Sequence, residues 1–304
     1  MNSVRKRMWA GVPVLCVVAL AACGSSSKTT PSNSGAGTSS TSSGANAAVA
    51  ALVPASIKAK GTLTVAADAS YAPDEFFASN GQTVIGMDAD LSKALAAVMG
   101  LKANVVNATF DSIIPGLASG KYDIGASSFT DTKAREKVVD FVDYANVGES
   151  FYTKSSGGAS IASIADICGK TVSVEKGTTE EADAGTQSKK CTAAGKPAVT
   201  VLSYNDQSEA NLAVASGRAQ LGFADTPVAD YQVKKTGGQF KIIGAAYAPS
   251  PYGLAIPKGG LDKAVEAALK VLIQNGTYGK IFAKWGLQGI EVPASAVKIN
   301  GAIS

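Results

Sequence analysis

Residues 122–141 read YDIGASSFTDTKAREKVVDF, and they gather side chains able to hold an anion. Ser127, Ser128, Thr130 and Thr132 offer hydroxyls after a short apolar run, and Arg135 follows. This order predicts a buried strand, a hydroxyl-rich corner and a helix with Arg135 in its first turns. Free N–H groups at a helix start, together with the helix dipole, favour negative charge. An arginine adds two parallel donors that match a planar carboxylate. The same pattern also fits an ordinary capped helix whose arginine lies on a solvated face.

A second stretch has the complementary sign. Residues 118–127, ASGKYDIGAS, line up with residues 215–224, ASGRAQLGFA. Both read as helix end, glycine stop, basic residue and short strand. The next residue is Ser128 in the first and Asp225 in the second. Ligands of open parallel sheets bind outside the carboxyl ends of the strands. Two such units facing each other would put Ser128 and Arg135 on one wall and Asp225 on the other. Arginine and hydroxyls take a carboxylate, and an acid takes an ammonium. Together they fit the zwitterion of a free α-amino acid, whose buried charges each need a partner. Residues 68–73, DASYAP, offer Tyr71 as an aromatic floor, with Phe110 and Phe129 as further walls or as core. Residues 175–180, EKGTTE, join a strand to a helix. Gly177 permits a close approach there. Thr178 or Thr179 caps the helix, with its N–H groups turned to a cleft or to nothing but the cap.

These positions hang on alternating elements. Residues 63–66, 102–107, 124–126, 149–153, 171–174, 199–202, 221–224, 241–243 and 252–256 read as strands. Helical spacing marks residues 88–99, 110–118, a stretch from about 180, 206–215, 227–235, 261–274 and 277–285. The alternation predicts an α/β fold of parallel sheets covered by helices, and the echo predicts two lobes.

The 304 residues are 46% hydrophobic and 17% charged, as in a soluble globular protein. Arg5, Lys6 and Arg7 are three of 28 basic residues against 24 acids, so no basic surface argues for nucleic acid. The absence of histidine excludes Ser-His and Cys-His nucleophiles and His-ligated metals. Residues 1–22 read as an export signal: a basic start, an apolar core at 12–20, then Leu20-Ala21-Ala22 before Cys23. The apolar core is too short to be a good membrane span. A cysteine after Leu-Ala-Ala resembles the bacterial lipobox, in which it is lipidated; a plain secretory signal is the other reading. Residues 23–50 are rich in Ser, Thr and Gly and are expected to form a flexible tether. Cys168 and Cys191 remain as an even pair in an oxidising compartment, which predicts a disulfide. A metal or redox pair is the alternative, without a CxxC or a histidine to support it.

From about residue 60 to residue 285 the chain resembles the extracellular solute-binding proteins, family 3, of polar amino acid ABC importers. The segments that carry the resemblance are DASYAP at 68–73, VIGMDADL at 84–91, FDSIIPGL at 110–117, SSFTDTKAR at 127–135, VDF at 139–141, GTT at 177–179 and GTY at 276–278. The resemblance implies two Rossmann-like lobes joined by two crossing segments, closing on ligand as a type II periplasmic-binding-protein clamp. Lobe 1 would take residues 58–150 and 250–292, lobe 2 residues 151–249, with a C-terminal tail at 293–304. By the same resemblance, Arg135 clamps the ligand carboxylate, Thr179 assists it, and Ser127, Ser128 and Thr130 hydrogen-bond the ligand. Asp225 takes the amine, Asp68 and Tyr71 meet the side chain, and Phe110 is an apolar wall. The implied partners are a free amino acid and an ABC permease. The implied form is a monomer without cofactor, lipid-anchored at Cys23 on the extracytoplasmic side.

Two departures stand out. Asp74 and Glu75 follow Pro73 where the family commonly has an aromatic first, and Asp131 stands where the corner is usually apolar. Acids near the mouth, Asp68, Asp74, Glu175 and Glu180, favour a neutral polar or cationic amino acid. Two other classes remain. One is an enzyme on this scaffold, such as a dehydratase, with Glu175 or Glu180 as its acid. The other is a ligand-sensing partner without transport.

Overall fold

The computed structural model describes residues 44–303. The expected signal peptide, Cys23 and the tether up to residue 43 lie outside the described residues. The last part of the expected tether is helical, so its boundary at residue 50 is corrected. α1 (Ala47–Leu52) is capped by Asn46, whose side chain accepts from the amides of Ala48 and Val49. Alanine favours helix, and Val49 and Val53 give the segment a buried side. α2 (Ala55–Lys60) leads into the first strand.

The first lobe is built from short parallel strands with helical returns. β1 (Thr62–Ala67) is followed by a three-stranded flap, β2 (Ser70–Tyr71), β3 (Glu75–Phe77) and β4 (Val84–Ile85). Then come α3 (Met87–Val98), β5 (Lys102–Asn107), α4 (Phe110–Ala118) and β6 (Ile124–Thr130). β1 pairs in parallel with both β5 and β6. Gly86 enters α3 at φ +130°, and a Cβ there would lie 2.2 Å from the Asp74 carbonyl oxygen, so the turn requires glycine.

β7 (Val139–Lys154) leaves this lobe as a single strand of 16 residues. The second lobe follows: β8 (Thr171–Glu175), α5 (Thr179–Ala193), β9 (Thr200–Tyr204), α6 (Gln207–Ser216), β10 (Leu221–Asp225) and α7 (Thr226–Lys235). β11 (Phe240–Pro257), 18 residues long, returns to the first lobe. α8 (Asp262–Gln274) and α9 (Thr277–Trp285) then pack against α3, and α8 also against β7. One sheet of eight strands results, in the order β5-β1-β6-β11-β7-β10-β8-β9. Parallel sets flank the antiparallel pair β7 and β11, which cross from lobe to lobe.

The short strands expected at 149–153, 241–243 and 252–256 are therefore pieces of these two crossing strands. Gly244, Pro249 and Pro251 break the strand pattern in the middle of β11, and its register with β7 shifts between Ile243 and Tyr247 and again between Tyr247 and Ser250. The long pairing with β7 carries the chain through that weak stretch. Each lobe has its own core. Leu63, Val65, Leu91, Leu95 and Leu269 are buried in the first, and Val172, Val174, Leu221 and Phe223 in the second. The expected C-terminal tail meets β7. Ile299 bridges to Val142, and Asn300 Oδ1 accepts from the Phe141 amide at 2.8 Å.

Cys168 and Cys191 form a disulfide with Cα atoms 5.6 Å apart, closing a sequence separation of 23 and fixing α5 to the loop before β8. The chain-entropy model gives a loop of this size about 3 kcal/mol of stabilisation. Replacing both cysteines by serine is expected to lower the unfolding free energy by about that amount in urea melts. An unchanged midpoint with an unchanged slope would show that the bond contributes nothing.

Candidate functional site

The hydroxyl corner forms, but not with a helix behind it. All seven residues of β6 are buried, and Arg135 starts a three-residue 3-10 turn, Arg135–Lys137. The expected α-helix is absent because Val139 already belongs to β7, which leaves no room for more than a turn. The helix N-terminus that faces the corner belongs to α5, from the other lobe. Thr178 is its N-cap, with Oγ1 accepting from the Glu181 amide at 3.2 Å, and Thr179 Oγ1 lies 3.3 Å from Thr130 Oγ1. Gly177 approaches α4 at φ +82°, where a Cβ would lie 3.0 Å from Asp111 Cβ.

Arg135 spans the gap between the lobes. It donates from Nη1 to the Thr130 carbonyl at 2.7 Å and from Nη2 to the Gly177 carbonyl at 3.0 Å. Its guanidinium carbon lies 5.4 Å from the ring centroids of both Phe110 and Phe129, which stack on each other at 4.4 Å. Such a guanidinium stays charged and is held by stacking as well as by hydrogen bonds. Phe129 is core beneath this stack rather than a cavity wall.

Opposite, Asp225 closes β10 immediately before α7. The Tyr71 hydroxyl donates to its Oδ2 at 2.9 Å and accepts from its amide at 3.1 Å. Burial raises the Asp225 carboxyl to about 6, against the lowering effects of the Tyr71 and Tyr252 hydroxyls and of Arg135. Tyr71, Phe110, Ser128, Thr130, Arg135, Thr179 and Asp225 thus line one cavity, joined by Thr178 and Glu180. The free volume between them is about 10 Å³, room for about one water. Anything larger therefore enters only after the walls separate.

Two expected residues stand behind this cavity. Ser127 Oγ donates to Glu75 Oε1 at 2.9 Å and accepts from the Asp68 amide at 2.8 Å. The Asp68 carboxylate accepts from the amides of Ser70 and Phe110, both at 3.0 Å. Ser128 has a left-handed backbone, φ +48°, and its hydroxyl reaches Asp74 Oδ2 at 3.1 Å while its amide donates to Asp88 Oδ2 at 2.7 Å. The unusual Asp74 and its neighbour Glu75 are thus the far side of the serine corner. Burial pushes both carboxyls well above their ordinary range and raises Asp88 to about 6.

Three further acids lie near this site; the sequence placed Glu175 and Glu180 near the mouth and missed Glu149. Glu180 lines the cavity, and its Oε1 has no hydrogen-bond partner. Glu149 of β7 is the register partner of Asp225, and its Oε2 is unpartnered. Glu175 ends β8 with both carboxylate oxygens buried and unpartnered. Glu175 and Glu180 flank the Gly-Thr-Thr turn, so their place beside the cleft was visible in the sequence. Nothing in the sequence marked Glu149, because alternation along a strand does not say which face meets a ligand. Burial raises Glu175 and Glu180 well above the usual carboxylate range and Glu149 to about 8.

The family model for bacterial extracellular solute-binding proteins, family 3, matches residues 63–288. The chain belongs to this family. The arginine-binding protein ArgT of Corynebacterium glutamicum is 36% identical over 242 residues, 79% of either chain. The L-arginine-binding protein of Pseudomonas aeruginosa is 33% identical over 229 residues, 72% of this chain and 85% of its own. Among solved structures, an ancestral arginine-binding protein bound to arginine aligns at a TM-score of 0.68 and 37% identity, over 74% of this chain and 98% of that one. All three are binding proteins by name. The two lobes and crossing strands of this family 3 protein are the architecture of type II periplasmic amino acid-binding proteins.

The acids set a pH dependence. A carboxyl raised in the folded state holds its proton longer there than in the unfolded chain, so stability falls as pH rises from the unfolded value to the folded one. The window runs from about 4 through about 6 for Asp225 to about 8 for Glu149. Asp111, held low by Lys176, has the opposite sign and acts below it. Ligand-free protein is expected to melt at a lower temperature at pH 8 than at pH 5.5, checked by calorimetry. A melting point that rises across this range would mean that the acids are compensated.

Proposed function

We propose that this family 3 protein is a lipid-anchored extracytoplasmic receptor. It binds a free amino acid with a cationic side chain, L-arginine being the candidate, and delivers it to an ABC import permease. The observation that carries the reading is that Arg135 and Asp225 line one cavity from opposite lobes, among more buried acids than cations. Arg135 grips the α-carboxylate, with Thr130 and the α5 terminus at Thr179 supplying further donors. Asp225 takes the α-ammonium. Ser128 completes the wall, and Tyr71 and Phe110 flank the side chain.

A zwitterion brings no net charge to Glu149, Glu175 and Glu180, whereas a cationic side chain brings one positive charge. That balance agrees with the arginine named for the relatives. Hydrogen bonds already cross between the lobes. The Gln207 amide donates to Ser70 Oγ at 2.9 Å, and Lys176 Nζ lies 2.8 Å from Asp111 Oδ2. Ligand then acts by favouring the closed arrangement over an open one, through contacts made to both walls at once. The lipid anchor is assigned to Cys23 on its lipobox-like sequence. No helix among the described residues is long and apolar enough to cross a membrane.

A thermal-shift screen of the common amino acids is expected to single out arginine, because a ligand bound to the folded state raises the melting point. Arg135→Ala is expected to abolish that response for every amino acid while leaving the fold intact. Near-native affinity in this variant would overturn the assignment. Asp225→Asn should weaken binding by about 100-fold or more, the cost of leaving a buried ammonium unpaired. If the loss is no greater than for deaminated analogues, Asp225 does not hold the amine.

A further inference from the structure

We infer that Asp74 is a positioning residue of the amino acid clamp: from behind the cavity it fixes the turn of β6 that carries Ser128, and it acts on the ligand through that serine. The inference rests on the clamp proposed above and adds to it a residue that does not line the cavity.

Ser128 lies in a break of the sheet. Phe129 pairs with Gly253 of β11, and the next pair along the two strands is Gly125 with Ala255. From one pair to the other β6 advances four residues where β11 advances two, so the surplus forms a bulge that contains Ser127 and Ser128. Bulges bend a strand, re-aim its side chains and recur beside functional sites. The bulge residue Ser128 has φ +48°. Glycine takes that left-handed backbone freely, whereas a residue with a Cβ keeps it only where its surroundings hold it there. Two acids do so here. Asp88 Oδ2 accepts from the Ser128 amide at 2.7 Å, which fixes the backbone. Asp74 Oδ2 accepts from the Ser128 hydroxyl at 3.1 Å, which fixes the rotamer. Glu75 Oε2 and Asp88 Oδ2 stand farther from the hydroxyl, both at 3.4 Å.

The Asp74 carboxyl has no other partner. It is fully buried, Oδ1 is unpartnered, and the Ser128 hydroxyl is its one hydrogen bond among the described residues. No lysine or arginine among the described residues forms a salt bridge with Asp74 or Asp88. A buried carboxyl with so little compensation lowers stability rather than raising it. What it supplies is the aim of Ser128. Its backbone extends the effect to a second wall residue. The Asp74 amide donates to the Tyr71 carbonyl at 3.0 Å, and the Asp74 carbonyl accepts from the Asp88 amide at 2.9 Å. Tyr71 and Ser128 both line the cavity, and Asp74 ties the two of them to the start of α3.

The test is a double-mutant cycle on the full-length chain with Asp74→Leu, Ser128→Ala and the pair. Arginine affinity is read by calorimetric titration, and ligand-free stability by the melting temperature. Asp74→Leu is expected to weaken arginine binding about 10-fold. Asp74→Asn keeps an acceptor at the same reach and is expected to stay within about 3-fold of wild type. In the Ser128→Ala background Asp74→Leu is expected to cost no further affinity, because the side chain it acts through is gone. Effects that multiply in the pair overturn the inference, as does wild-type affinity in Asp74→Leu or an Asp74→Asn variant as weak as Asp74→Leu. A change confined to the melting temperature overturns it too, since a merely structural acid would give that result. Should Asp74→Leu fail to fold, Asp74→Ala takes its place in the cycle, with the same expected and overturning results. The clamp reading fails separately. If wild type binds no amino acid, the clamp is wrong. If Arg135→Ala abolishes binding while Asp74 and Ser128 show no coupling, the clamp stands and the role of Asp74 is wrong.

Discussion

A single guanidinium sits where the two lobes meet. Arg135 donates to a carbonyl of the first lobe and to a carbonyl of the second, over a stack of two phenylalanine rings. The half-buried guanidinium is held by these two carbonyls and the ring stack. Around it the chain has gathered carboxyls rather than neutral groups. Burial raises the affinity of Asp225, Glu149 and Glu180 for protons. Placement of Arg135, and not a reactive group, is what the surrounding fold provides.

That placement depends on chain direction. Parallel strands deliver Asp68, Thr130, Glu175 and Asp225 to their carboxyl ends, the edge at which α/β sheets bind ligands. Two such edges can face one another only if the chain crosses between them twice. β7 and β11 make those crossings, and each also contributes to the site's surroundings through Glu149 and Tyr252. The helix whose N-terminus faces the corner comes from the opposite lobe. The groups at the corner therefore come from both lobes.

Much of this was legible in residue order. α4 and α9 begin and end where periodicity places them, and the echo of ASGKYDIGAS in ASGRAQLGFA corresponds to β6 and β10 leading to Ser128 and Asp225. Local propensity failed where tertiary pairing took over. The TKAREK stretch contains good helix formers but is reduced to one turn, since the following VDF joins the sheet. β11 could not be read as continuous, because its glycine and prolines are tolerated only through pairing with β7. Asp68 and Ser127 were read as direct contacts and stand one layer back, because each satisfies backbone amides or acids before it reaches the cavity.

The irregular middle of the crossing pair has a mechanical meaning. The ladder runs unbroken over Phe240–Ile243 and again over Gly253–Pro257, after one further slip between Tyr252 and Gly253. Between Ile243 and Ser250 the ladder slips twice, opposite Gly148 on the partner strand. A beam with a softened centre bends there first, and the parts on either side keep their shape. Opening the cleft can therefore leave both lobe cores undisturbed, with the displacement confined to a few backbone torsions. The side chains of each wall then travel together, and their spacing within each lobe is preserved.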